Sequence, residues 1–90
     1  MELYMEIEKN FPKLEKLFSP ESLLEFKNMP VIKLYLYHFS LGLWIRNNLI
    51  YLDKSVLYNL FLEKGVTHED NMSLIIMILF HNYLLRATHF

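Results

Sequence analysis

Cysteine is absent from the chain and glycine occurs only twice. Without cysteine there is no disulfide framework and no thiolate zinc site, which excludes a small secreted scaffold held together by bridges. With so little glycine, no glycine-rich turn can cradle a nucleotide phosphate, and no Gly-x-Ser-x-Gly elbow presents a nucleophile. An excess of one charge is missing too: nine Lys and Arg stand against ten Asp and Glu, for a net charge of −1. The basic residues are scattered, whereas backbone-tracking nucleic-acid binders gather Lys and Arg on one face, so direct DNA or RNA binding is not expected. Nor is there a long uncharged apolar run. The tracts at 34–52 and 72–85 are broken by His38, Arg46, Asn47 and Asn48 and by His81 and Asn82, and neither matches the roughly 20 apolar residues of a membrane span. The first eight residues are acidic and amphipathic where an export signal would be basic and then apolar. The compartment expected is the reducing cytoplasm.

Repeats, linkers and low-complexity tracts are also lacking, which leaves residues 1–90 as a single domain. Apolar residues make up 53% of the chain and aromatics 16%. That is a rich core for a length that buries only about 60–65% of its unfolded surface. The acids lean N-terminal, with Glu2, Glu6, Glu8, Glu15, Glu21 and Glu25 all before Asn28.

The punctuation is helical throughout and predicts an all-α bundle of four to five helices. Leu3, Ile7, Leu14, Leu17 and Phe18 mark a first helix split or kinked at Pro12. Ser19-Pro20-Glu21 supplies an N-cap, a proline at the first helical position and an early carboxylate for a helix over 20–27. After Met29-Pro30 the spacing predicts one long helix over 31–48. It is apolar nearly all round and therefore belongs in the middle of the bundle. Gly42 inside it costs about 1 kcal/mol relative to Ala, which a close helix crossing would explain. Asp53-Lys54-Ser55 reads as a turn and cap before a helix at 55–64 closed by Gly65. Thr67-His-Glu-Asp70 resembles a capping box ahead of a last central helix at 69–86, with Leu74, Met77, His81, Leu84 and Leu85 as its main stripe.

Two polar clusters stand out: Arg46-Asn47-Asn48, with His38 two turns upstream, and His68-Glu-Asp70-Asn-Met-Ser73. In an antiparallel bundle they would meet, and an Arg side chain pairs well with a carboxylate or a row of carbonyls. The favoured reading is a structural polar network of His38, Arg46, Asn47, Asn48, His68, Asp70 and Ser73 that ties helix ends together. A catalytic or metal site is the alternative: a hydrolase built on Arg46, His68 and Asp70, with Ser73 or His81 as further members. No His-Glu-x-x-His spacing supports it, and neither a catalytic residue, a metal nor a cofactor is assigned. His38 and His81 fall on apolar stripes and read as satisfied core histidines. Of the abundant aromatics, Tyr4, Phe11, Phe18 and Tyr58 sit on the more peripheral helices and are the candidates for a partner-binding patch.

The run His38-Phe-Ser-Leu-Gly42-Leu-Trp44-Ile-Arg-Asn-Asn48, followed by His68-Glu-Asp70-Asn-Met-Ser73, resembles a family of small bacterial and phage-borne domains of unknown function. Its members carry a His-x-x-Leu-Gly-x-Trp-Ile-Arg-Asn-Asn core and a later His-x-Asp-Asp-x-Ser helix start. The likeness covers about the last 60 residues, and Asn71 departs from it where many relatives have a second acid. The resemblance implies an all-helical fold, no established activity and the setting of an accessory or mobile-element gene. By analogy it suggests a toxin-immunity protein or an anti-CRISPR-type inhibitor of a host defence effector.

The sequence reading is thus a non-enzymatic cytoplasmic module that binds another protein, a toxin or a defence effector. A homodimeric structural module with an apolar seam is a further reading.

Overall fold

Short helices joined by tight breaks make up most of the molecule. The computed structural model describes residues 2–52 and 55–87, and every regular element among them is helical. These are α1 (Glu2–Glu8), α2 (Phe11–Glu15), α3 (Pro20–Asn28), a 3-10 helix (Val31–Tyr37), α4 (Leu41–Ile45), a π-helical turn (Arg46–Ile50), α5 (Val56–Glu63) and α6 (Glu69–Arg86). Asp53 and Lys54, read as part of a turn, lie outside the described residues.

Most boundaries follow from local chemistry. Asn10 ends α1, with its side-chain amide donating to the Glu6 carbonyl at 3.0 Å, and Pro12 sits in the first turn of α2, where its missing N–H costs nothing. The Ser19 hydroxyl caps α3 by accepting from the Ser22 amide at 3.1 Å. Ser55 does the same for α5 through the Tyr58 amide at 3.1 Å. Gly65 closes α5 at φ 83°, and the Val66 amide reaches back to the Phe61 carbonyl at 3.0 Å, the hydrogen bond that a left-handed glycine makes possible. The last helix begins differently from the capping box read in the sequence. His68 is the cap, its Nδ1 accepting from the Asp70 amide at 3.3 Å, so Thr67 lies outside the helix.

The long helix expected over 31–48 is instead three pieces. Pro30 is extended at ψ 139°, and Val-Ile-Lys-Leu-Tyr-Leu-Tyr is dense in β-branched and aromatic residues that lose rotamer freedom in an α-helix. The chain winds tighter there. The Lys33 amide donates to the Pro30 carbonyl at 2.9 Å and the His38 amide to the Tyr35 carbonyl at 3.0 Å, the three-residue spacing of a 3-10 helix. Ser40, at φ −110° and ψ −91°, breaks the rod before α4. After α4 the ladder loosens by one residue, and the Tyr51 amide donates to the Arg46 carbonyl at 2.8 Å.

Helix α6 is the spine. It packs against α4, the π turn, the 3-10 helix and α3, while α1 leans on α5. It buries Met72, Ser73, Ile76, Met77, Phe80, His81 and Leu84, a face rotated from the predicted stripe, since Leu85 is exposed and Leu74 half-buried. Phe80 centres an aromatic cluster, its ring 5.7 Å from Phe11 and 5.7 Å from Phe26. Each such side chain contributes roughly 1.5–3 kcal/mol by leaving water. The radius of gyration, 12.7 Å, is close to the value of about 12 Å for a compact chain of this length.

Candidate functional site

Arg46 is the charged side chain that the fold encloses, with 4% of its surface exposed. An ion this deep is costly unless its donors are occupied, and they are. Nη1 donates to the Ser73 hydroxyl at 2.9 Å and faces His38 Nδ1 at 3.4 Å. Nη2 donates to the His38 carbonyl at 3.1 Å. Nε lies 3.7 Å from the Asp70 carboxylate, which is itself half exposed, and His38 Nε2 is 4.0 Å from the same oxygen. The Ser73 hydroxyl in turn donates to the Asp70 backbone carbonyl at 3.0 Å. One guanidinium therefore joins the end of the 3-10 segment to the first turns of α6.

Gly42 makes room for this arrangement. A Cβ there would sit 3.1 Å from Arg46 Nη1, 3.3 Å from the Tyr37 carbonyl oxygen and 3.5 Å from Met77 Cε. The close approach inferred for this glycine is thus made to a guanidinium and a backbone carbonyl as well as to the neighbouring helix.

Of the residues singled out in the sequence, His38, Arg46, Asp70 and Ser73 come together. His68 serves only as the cap of α6. Asn47 is exposed and stands outside the network, and the Asn48 amide donates back to the Trp44 carbonyl at 2.9 Å. His38 is half-buried rather than a core residue. His81 is a core residue but only half satisfied: Nε2 lies 2.7 Å from the Met29 carbonyl, while Nδ1 is buried without a partner.

What the cluster can do chemically is constrained by this packing. Ser73 is completely buried, and its hydroxyl is engaged on both sides by Arg46 and Asp70. Among the described residues no three His, Asp or Glu side chains converge as a ligand set. The larger grooves lie elsewhere. One of about 420 Å³ is lined by Glu15, Phe18, Pro20, Leu23, Leu24, Lys27 and Leu84. Beside it, burial and then the Glu15 carboxylate push the Tyr83 hydroxyl above the ordinary tyrosine range. Burial, with Glu25 second, does the same to Tyr37.

The four aromatic candidates for partner binding fare unevenly. Phe11 is in the core, 1% exposed against Phe80 and Tyr83, because α2 turns inward after the break at Asn10. Phe18 and Tyr58 are half-buried, and Tyr4 lies edge-on to Phe11 at 6.5 Å. The most exposed large apolar side chains among the described residues are instead on the 3-10 segment and just past it, where Ile32, Tyr35, Leu36 and Phe39 are 80, 62, 59 and 83% exposed. The centre-of-bundle position inferred for 31–48 therefore fails over 31–40, while Leu41, Ile45 and Arg46 beyond it are buried. Its apolar character on every side was the available signal, since a chain this short has no layer of protein to cover all sides of a second central helix.

A family model for a domain of unknown function, DUF6794, matches residues 5–84. The chain belongs to that family. No curated protein and no solved structure matches it. The DUF6794 domain takes in most of α1 and nearly all of α6, so the N-terminal helices belong to the same unit as the Arg46 cluster.

Proposed function

We propose that this DUF6794 protein is a non-catalytic protein-binding module whose contact surface is the apolar strip of Ile32, Tyr35, Leu36 and Phe39. The observation that carries the reading is the way the strip is held. Arg46 fixes the His38 carbonyl, and the His38 ring meets the Phe39 ring edge-on at 4.7 Å, so the buried charge holds in place the segment carrying Phe39, the most exposed phenylalanine among the described residues. A binding surface fixed before contact loses less freedom on association. A long 3-10 run followed closely by a π turn also fits, since both departures from the α-helix concentrate where a segment serves something other than packing.

Action in the cytoplasm is consistent with the absence of cysteine. Among the described residues, no helix is long and apolar enough to cross a membrane. The narrower version, an inhibitor or immunity protein from a phage or other mobile element directed at a toxin or defence effector, rests on the analogy drawn from the sequence motif.

Affinity capture of the tagged protein from its own host, beside the Phe39→Lys variant, tests the reading. A stoichiometric partner, whether foreign or a second copy, should be retained by the wild type and lost by the variant. Equal recovery by both would remove the strip from the function.

A further inference from the structure

The strip's geometry points to its occupant, and we infer that it pairs with the same strip on a second copy of this chain. The inference rests on the strip being the binding surface and adds the identity of the partner.

With three residues per turn, side chains three apart in a 3-10 helix stand in line. Leu34, in the middle of the row Val31, Leu34, Tyr37, is fully buried, and Tyr37 is half-buried. The other two rows face outward, Ile32 and Tyr35 in one and Lys33 and Leu36 in the other, and Phe39 is exposed just past the end of the 3-10 helix. The four large apolar side chains, Ile32, Tyr35, Leu36 and Phe39, expose on the order of 600 Å² together, the upper end of what a monomer leaves in one patch. With the adjoining exposed Val31, that is most of the roughly 800 Å² per partner of a standard interface.

Charge selects among occupants. Between residues 31 and 43 the only formally charged side chain is Lys33, and the carboxylate at the edge of the strip, Asp70, is turned to Arg46 and His38, so there is no basic cluster to hold an anionic membrane. A two-fold pair needs only self-complementarity. Antiparallel strips centred on Leu36 place Lys33 of each copy opposite Phe39 of the other. The one polar end of the row then meets an aromatic face, a favourable cation–π arrangement.

The test is mass against concentration, by sedimentation or light scattering from about 1 μM to about 1 mM, on the wild type and on Phe39→Lys, Phe39→Glu and Ile32→Lys, with circular dichroism to verify folding. The wild type should move to twice the 10.9 kDa of the chain. Phe39→Lys and Ile32→Lys should stay monomeric and helical. Phe39→Glu should retain more dimer than Phe39→Lys, because its carboxylate would meet Lys33 of the other copy. A wild type that is monomeric throughout overturns the inference, and so does a dimer that all three substitutions leave intact. Sedimentation with phosphatidylglycerol vesicles in place of self-association would overturn it in favour of a lipid surface. The broader reading is decided separately: a monomer whose captured foreign partner is lost with Phe39→Lys keeps the strip as a binding surface and removes only the second copy.

Discussion

Residues 31–50 and α6 are the two most apolar stretches of the chain, and their similar compositions take different forms. Helix α6 is a continuous rod of 18 residues. It starts on a side-chain cap, carries Glu69 and Asp70 in its first turn and Arg86 in its last, and so complements the helix dipole at both ends. The stretch at 31–50 has no side-chain cap on any of its three pieces. It follows a proline and changes winding twice. Apolar content therefore specifies burial only where end signals and residue propensity also hold the helix in one register. Where they disagree, as over 31–39, the chain buries a single row and leaves the rest to solvent, whereas Leu41, Ile45, Leu49 and Ile50 further on still pack inward.

Two phenylalanines break the comparison most directly. Phe80→Ala on α6 removes the centre of the aromatic cluster and should cost about 4 kcal/mol, enough to unfold much of a domain this small. Phe39→Ala on the strip should change the stability of the monomer by less than about 0.5 kcal/mol. Denaturant midpoints measured at low protein concentration compare them, and equal losses would mean that the strip is covered within the monomer.

Arg46→Ala joins the two regions in one experiment. It leaves the His38 carbonyl unpaired and empties the space beside Gly42, for a loss of about 3 kcal/mol. Arg46→Lys, unable to span Ser73 and the His38 carbonyl together, should recover only part of it. An Arg46→Ala variant with an unchanged melting temperature would remove the network from the account of stability. Gly42→Ala is subtler. Helix propensity favours alanine by about 1 kcal/mol, but the carbonyl of Tyr37 and a guanidinium held on several sides have little room to yield, so crowding should outweigh it for a net loss of about 1 kcal/mol.

The smallest expected effect is alkaline. Tyr37 and Tyr83 hold their protons above the ordinary tyrosine value in the folded state. Their contribution is fully present below about pH 10, where the unfolded tyrosines are still protonated. It is lost as the pH rises through the raised folded values. Phenolate absorbance should show two late-titrating tyrosines, with stability falling over the same interval. Titration of all tyrosines together near their ordinary value would contradict this.

The all-helical class and most helix ends were legible because they rest on local chemistry: Ser19 with Pro20, Ser55, Gly65 and the stretch 69–86. The pairing of Arg46 with Asp70 and Ser73 could be anticipated from the cost of burying a guanidinium. The winding of 31–50 could not, because period-3 and period-3.6 patterns coincide when nearly every position is apolar, and only tertiary packing chooses the row that faces inward. Phe11 was misplaced for a related reason: the break at Asn10 reorients α2, and helical spacing counted from α1 does not carry across it. His81 shows the same limit, since its bond to the Met29 carbonyl spans 52 residues and leaves no trace in local sequence.

The composition of residues 31–39 has a consequence for the chain before it is folded. Val-Ile-Lys-Leu-Tyr-Leu-Tyr-His-Phe is a window of high β-propensity and low charge, the composition that stacks into cross-β aggregates when exposed. Pro30 at its edge and Lys33 within it are the residues that interrupt such stacking. Once the chain has folded, the tight local hydrogen bonds continue that protection by occupying backbone amides that would otherwise template another strand. The same winding that shapes the most exposed apolar face among the described residues thus withdraws its backbone from strand pairing.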